Sequence, residues 1–341
     1  MSAVITIFIG YIILDSMGIK LTVIALIILA LLFFQPIVAA TKVLLLISEQ
    51  FPQIPLKPLH LFTNQPKHEQ VQFGDGIIAD LFLPNRAEEK PAIILAMGVR
   101  TNEKDKPILL GFADTLTRLG YVVIWPRLEE LDKERIKYER PQTFLSSFQY
   151  LQQHPKIDKN RISFVGFSVG SSIAMVAAED QNINDQVRSL IFFGGYYNIY
   201  DYLKALATKS MVVDGQNISW DPSVDGVNHA KGILESEGIE PEQFISASLS
   251  KEDTNRLLQY SPDQNLENFK AAIFILHEKS DNYVPYVESI KLRQALEGKV
   301  PITFHIANLF EHVQPKKGFS PDVIKEFAGL FVFLHKLFMY L

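Results

Sequence analysis

Residues 161–178 read RISFVGFSVGSSIAMVAA. A β-rich run containing Ile162, Phe164 and Val165 ends in Gly166-Phe167-Ser168-Val169-Gly170 and passes directly into Ile173, Ala174 and Ala177, small and apolar residues suited to a helix. A serine on a sharp strand-to-helix turn has strained backbone angles and needs neighbours without bulk, which glycines two residues before and after it provide. The same turn aims the first N–H groups of the helix at the serine oxygen. That places the Val169 amide as an oxyanion donor, assisted by the positive end of the helix dipole. Ser168 is the candidate nucleophile. Ordinary turns also combine glycine with serine, and it is the flanking strand and helix that select the catalytic reading.

Strand and helix patterns extend to both sides. Glu69–Phe73 and Gly76–Leu83 read as a hairpin around Gly74-Asp75-Gly76. Ala92–Ala96 reads as a buried strand, Leu109, Phe112, Ala113 and Leu116 recur at helical spacing, and Tyr121–Trp125 is the next strand. A helix opened by Pro141 leads into the elbow strand, and Val187–Phe193, Ala271–Leu276 and Val300–Ile306 complete the set before a closing helix from about Pro321. Strands alternating with helices predict an α/β fold with a doubly wound, mostly parallel sheet. Residues 198–265 break the alternation with helical fragments and polar turns, as a lid over the C-terminal strand ends would. Tyr196, Tyr197 and Trp220, in and beside this insertion, are the expected substrate-facing aromatics.

Composition narrows the function. The chain has 341 residues, 48% of them hydrophobic, enough for one large domain and an N-terminal addition. Its 33 basic and 38 acidic residues leave a net charge of −5 with no basic block, so nucleic acid is not an expected partner. The absence of cysteine excludes disulfides, thiolate metal sites and a cysteine nucleophile. The histidines show no metal-ligand spacing, and neither a metal nor another cofactor is expected.

The addition lies at the N-terminus. Leu21–Ala40 is twenty residues without a charge, enough to cross a bilayer core of about 30 Å as a helix. Ala3–Leu14 is a shorter apolar run, so residues 1–48 read as a membrane anchor of one or two spans. The competing reading, a cleaved signal peptide ending at Val38-Ala39-Ala40, conflicts with the length of the apolar run and its continuation past Lys42. Residues 49–68, with Pro52, Pro55, Pro58 and Pro66, read as an extended linker to a domain at 69–341. Lys42, Lys57 and Lys67 follow the span, whereas Lys20 ahead of it is offset by Asp15, which places the domain in the cytoplasm.

A serine nucleophile needs a base, and the base needs an acid to fix its tautomer. The chain order Ser, acid, His is met by Asp281, in the loop after the strand ending at Leu276, and by His312, in the loop after the strand ending at Ile306. Glu278 is the alternative acid. His305 lies inside a strand and His277 at a strand end before the acid, so neither is the expected base.

With GFSVG at the elbow, Asp281-Asn282-Tyr283-Val284-Pro285 after the acid strand and Glu311-His312 at the base, the chain resembles the α/β-hydrolase superfamily over roughly Glu69–Leu341. Within it the dienelactone-hydrolase-like and prolyl-oligopeptidase-like branch is the most similar. The resemblance implies a second oxyanion donor in the loop after the third strand, here Met97-Gly98-Val99-Arg100, which assigns the Val99 amide. Dienelactone hydrolases carry a cysteine nucleophile where this chain has Ser168. Together these features lead to the expectation of a membrane-anchored serine hydrolase cleaving a small ester or thioester with an apolar acyl or aromatic group. A serine peptidase and a non-catalytic ligand- or partner-binding protein of the same fold are the alternatives.

Overall fold

The computed structural model describes residue 22 and residues 33–51, 54–85, 88–97, 106–127, 140–213, 215–240, 249–311, 313–315 and 321–341. It opens with helix α1 (33–50) and a single turn, α2 (Leu59–Phe62). The hairpin β1 (Lys67–Phe73) and β2 (Ile77–Leu83) follows, with both turn glycines at positive φ, Gly74 at 52° and Gly76 at 91°. Then come β3 (Lys90–Ala96), α3 (Lys106–Arg118), β4 (Val122–Pro126), α4 (Arg140–Gln153), β5 (Ile157–Phe167), α5 (Val169–Ala178) and β6 (Val187–Phe193). The insertion holds α6 (Ile199–Thr208), β7 (Ser210–Val213), β8 (Gln216–Ser219), α7 (Val224–Ser236) and α8 (Lys251–Leu258). The chain closes with β9 (Ala272–Glu278), α9 (Val287–Leu296), β10 (Ile302–Ala307), the short pair β11 (Phe310–Glu311) and β12 (Gln314–Pro315), and α10 (Pro321–Tyr340).

Eight strands form one sheet in the order β1-β2-β4-β3-β5-β6-β9-β10. Only the β1/β2 and β2/β4 pairings are antiparallel; the other five are parallel. The expected α/β architecture is present. Because side chains alternate across a strand, β3 sends Ala92, Ile94 and Ala96 into the core beneath α4 and α5, and Ile93 and Leu95 into the core beneath α1, α3 and α10. Parallel strands end at a common edge, and β5, β6, β9 and β10 therefore deliver Ser168, Gly194, Lys279 and Asn308 to one rim of the molecule.

The structure departs from the expected organisation in two places. The 49–68 stretch is not an extended spacer. Lys57 Nζ donates to the carbonyls of Glu49 and Phe51 at 3.1 and 3.2 Å and also to Ser48, capping the end of α1, while Glu49 Oε1 accepts from Leu59 N at 3.1 Å. Ala39, Val43, Leu46, Ile47, Phe51 and Leu59 are all buried in the α3/α10 core, so the boundary drawn at residue 48 cuts through a docked helix. The insertion, in turn, is not wholly helical: β7 and β8 form an antiparallel hairpin, with Asn217, Ile218 and Ser219 exposed on β8. Among the described residues no helix is long and apolar enough to cross a membrane. The Leu21–Ala40 run, like Ala3–Leu14, lies largely outside those residues.

Truncation tests the docking of α1. Deleting residues 1–48 removes Val43, Leu46 and Ile47, each of which contributes about 1.5–3 kcal/mol when fully buried. That variant is expected to melt well below one beginning at Phe33, a difference that calorimetry would measure.

Glu179 at the end of α5 offers a second test. Neither carboxyl oxygen of this buried residue has a hydrogen-bond partner among the described residues, and burial, reinforced by Asp263 and Glu267, raises its pKa to about 9. A carboxyl whose folded pKa exceeds its unfolded one favours folding fully below about 4.5, and this contribution is lost as pH rises towards 9. Glu179→Gln is expected to raise the thermal midpoint relative to the parent more at pH 8 than at pH 5.

Candidate active site

Ser168 occupies the N-cap of α5 with φ 52° and ψ −140°, a conformation rarely tolerated by a residue with a side chain. Its neighbours hold it there. Ser168 N donates to Phe193 O at 2.8 Å, and Ser168 O accepts from Ser171 N at 2.9 Å and Ser171 Oγ at 2.5 Å. The glycines of the motif are required by contact. A Cβ on Gly166 would lie 2.3 Å from Ser171 Cα, and one on Gly170 would lie 2.3 Å from Met97 O and 2.4 Å from Ala96 O. The elbow is thereby pressed against the end of β3, where the expected second oxyanion donor begins. Val99 itself lies outside the described residues, whereas Val169 is the first residue of α5, so its N–H belongs to the positive end of that helix.

Gly195 was not singled out in the sequence and is equally constrained. A Cβ there would meet Ser171 Oγ at 2.5 Å and Ser172 Oγ at 2.8 Å. Ser172 Oγ bridges Tyr196, accepting from its N at 2.9 Å and donating to its O at 2.7 Å. The two serines after the elbow thus lock α5 to the segment leaving β6.

Asp281 is where the order of residues placed it, in the loop beyond β9, and it is almost fully buried. Its Oδ1 accepts from Tyr283 N at 2.7 Å and Val284 N at 3.0 Å, fixing the carboxylate within its own turn. Its Oδ2 lies 3.4 Å from His277 Nε2. His277 is wholly buried: Nε2 donates to Val284 O at 3.1 Å, which leaves Nδ1 to accept from Ser289 Oγ at 2.7 Å. This histidine braces the acid loop from beneath.

Glu278, the alternative acid, is occupied elsewhere. Its Oε1 accepts from Ser280 Oγ at 2.8 Å and its Oε2 from Phe310 N at 2.8 Å, tying the acid loop to the next one. His312 lies outside the described residues, but the residues flanking it do not. Phe310–Glu311 pairs with Gln314–Pro315 in a tight hairpin, and Phe310 carries the Glu278 tether. His305, by contrast, faces α10: a Cβ on Gly329 would lie 2.6 Å from its Cε1. Burial lowers its pKa, and it serves as packing on the β10–α10 contact.

The lid aromatics divide by role. Tyr196 is fully buried, stacked on Tyr202 with ring centroids 5.3 Å apart, and its hydroxyl donates to Tyr260 O at 3.1 Å. It is a core residue, sealed from the surface, and not the substrate-facing aromatic expected. Trp220 is also largely enclosed, and its indole Nε1 donates to Asp281 O at 2.8 Å, so it grips the acid loop. Tyr197 stays half-exposed, with its N donating to the buried Glu288 carboxylate at 3.1 Å. Phe167, the neighbour of Ser168, belongs to a different aromatic group. Phe167 meets Phe112 and Phe193 at centroid distances of 5.5 and 5.8 Å, and Phe193 meets Phe310 at 5.0 Å. Phe112 had appeared in the sequence only as a helix-periodic residue. Among the described residues no group of His, Cys, Asp and Glu is arranged to hold a metal.

The BD-FAE family model matches residues 79–296, more than half of the 341-residue chain. Among solved structures, Pyrococcus horikoshii acylaminoacyl peptidase aligns with TM-score 0.51 and 17% identity over 83% of this chain and 42% of its own. A puromycin hydrolase aligns at TM-score 0.54 and 15% identity over 83% and 39%. Porphyromonas gingivalis dipeptidyl peptidase 4 aligns at 0.52 and 14% over 80% and 35%. At such identities the likeness is one of fold, and the chain spans about two fifths of the length of these proteins. No match was found among curated proteins.

Substitutions separate catalytic from packing roles. Ser168→Ala and His312→Ala are expected to lose ester hydrolysis to a similar degree while melting like the parent, because triad members act as one unit. His305→Ala is expected to retain most of the activity. A reversed result for the two histidines would move the base to β10.

Proposed function

The chain belongs to the BD-FAE family of α/β-hydrolases, and from that premise we propose that it is a membrane-anchored serine hydrolase that cleaves carboxylic esters or thioesters through an acyl-enzyme on Ser168. The observation that carries this reading is the backbone of Ser168, held at φ 52° on a strand-to-helix turn with the Asp281 loop on the same rim.

In the proposed reaction His312 takes the hydroxyl proton as Ser168 Oγ attacks the acyl carbon. Asp281 holds the imidazole in the required tautomer and stabilises its cation. The oxyanion is received by the Val169 and Val99 amides, the former at the helix N-terminus. His312 then returns the proton to the departing alcohol or thiol, and water, activated by the same imidazole, releases the acid. The half-buried Phe167 and Phe112 support an apolar acyl or aromatic group on the substrate, with the half-exposed Tyr197 as a further candidate contact. The uncharged run Leu21–Ala40 supports the anchor, and Lys42, Lys57 and Lys67 after it support a cytoplasmic domain.

A second reading, a serine peptidase, is favoured by the similarity of fold to acylaminoacyl peptidase and dipeptidyl peptidase 4. A panel of p-nitrophenyl esters and aminoacyl p-nitroanilides distinguishes the two. The expected result is turnover that rises with acyl length and is reduced for the longer chains by Phe112→Ala. Faster cleavage of the anilides would establish the peptidase. Failure of a fluorophosphonate to label Ser168 in folded protein would favour a non-catalytic binding protein.

A further inference from the structure

Helix α1 runs antiparallel to α10. Near its start, Pro36 O accepts from His335 Nε2 at 3.0 Å; just beyond its end, the Phe51 ring meets Phe327 at 4.8 Å. The C-terminal end of α10 is pinned to the beginnings of the central strands: Arg161 Nε donates to Leu341 O at 2.9 Å and Arg188 Nη2 to Tyr340 O at 3.2 Å. Arg161 and Arg188 precede the parallel-paired stretches of β5 and β6 or lie at their start, so α1 emerges at the edge of the sheet opposite Ser168. The six-residue path from Ile162 to Ser168 puts about 20 Å between that edge and the nucleophile.

The apolar run enters α1 with no spacer. Phe33, Phe34 and Ile37 are 53%, 60% and 61% exposed, whereas Ala39 and Val43 are buried against the domain. Leu21–Ile37 contains no charge and reaches the minimum span of about 17 residues, so the domain is docked within a turn of the point where a span would end. Other exposed apolar residues share this edge. Met339 lies at the end of α10, and Leu61 and Phe62 lie on α2, next to Thr63, whose carbonyl accepts from Arg118 at 3.1 Å as α3 ends. Lys90, Arg161 and Arg188 lie at this edge as well, Lys90 paired with Glu88 and Arg161 with the carbonyl of Leu341.

We propose that the edge formed by the beginnings of the parallel strands rests on a lipid bilayer, with Ser168 on the far side, so that the enzyme takes its acyl substrate from the aqueous phase and not from that bilayer. This rests on the anchored-hydrolase reading above.

The lack of cysteine makes single-cysteine reporters clean. Full-length protein carrying Phe62→Cys, Met339→Cys or Asn282→Cys, each labelled with a fluorophore, is reconstituted in phosphatidylcholine–phosphatidylglycerol vesicles containing a headgroup-linked quencher. All three positions are exposed, so the fold tolerates the change. The expected result is several-fold quenching at 62 and 339 and none at 282, with a soluble p-nitrophenyl ester hydrolysed equally well with and without vesicles. Quenching at 282, or none at 62 and 339 in protein that floats with the vesicles, overturns the orientation, as does preferential hydrolysis of an ester embedded in the same bilayer. Protein that does not float with vesicles removes the anchor and this orientation with it, while soluble ester turnover would leave the hydrolase reading standing.

Discussion

The structure depends on a backbone conformation that a serine does not adopt unaided. Holding Ser168 at positive φ costs on the order of 1–3 kcal/mol, and surrounding contacts must over-determine it. They do so from three directions: β6 supplies the Phe193 carbonyl to its amide, α5 supplies Ser171 to its carbonyl, and β3 closes against Gly170. Each approach is possible only where a Cβ is missing, at Gly166, Gly170 and Gly195. The strain is thus distributed into the packing of the sheet, and Ser168 is held at the strand-to-helix turn without a flexible loop to carry it.

The same logic governs Asp281. Its carboxylate and its backbone are both fixed: its Oδ1 by two amides of its own turn, and its carbonyl by the insertion. Trp220 donates to Asp281 O and Ser223 N to Asn282 O at 2.8 Å, so two consecutive carbonyls of the acid loop are held by the insertion. Glu278 joins this loop to the one bearing His312 through Phe310 N. The insertion is therefore more than a cover over the strand ends, since part of the positioning of Asp281 passes through it. A displacement of residues 220–226 would be felt directly at Asp281 and Asn282.

Much of this was legible in the sequence because it depends on local spacing. The elbow, the acid loop and the alternation of strands are each written in a few consecutive residues, and the expected strands correspond closely to those observed. What was not legible depends on tertiary direction. Tyr196 and Tyr197 are adjacent and identical in letter, yet one is sealed by Tyr202 and Tyr260 while the other stays half-exposed. Phe112, Phe167 and Phe310 converge from a helix, a strand end and a hairpin, and no window of sequence contains more than one of them. The requirement for Gly195 arises from Ser171, which lies across a strand pair.

Helix α1 shows how an apolar run conceals a second pattern. Ala39, Val43, Leu46 and Ile47 recur at the spacing of one helical face, but Leu44 and Leu45 between them are equally apolar, so hydropathy alone reads the whole stretch as anchor or tether. Position decides between the two. The buried face meets Tyr121 and Phe338 through Lys42, whose ammonium donates to the Tyr121 hydroxyl at 3.0 Å and lies 4.2 Å from the centre of its ring. A lysine spent on an aromatic ring and a phenol belongs to an interface within the protein. Burial and the charges of Arg161 and Lys90 bring its pKa down to about 8, which fits a side chain drawn out of water by packing. Once α1 is part of the domain core, Phe33, Phe34 and Ile37 at its exposed start are mechanically continuous with the sheet that carries Ser168. Any surface that holds those residues then also sets the direction in which Ser168 faces.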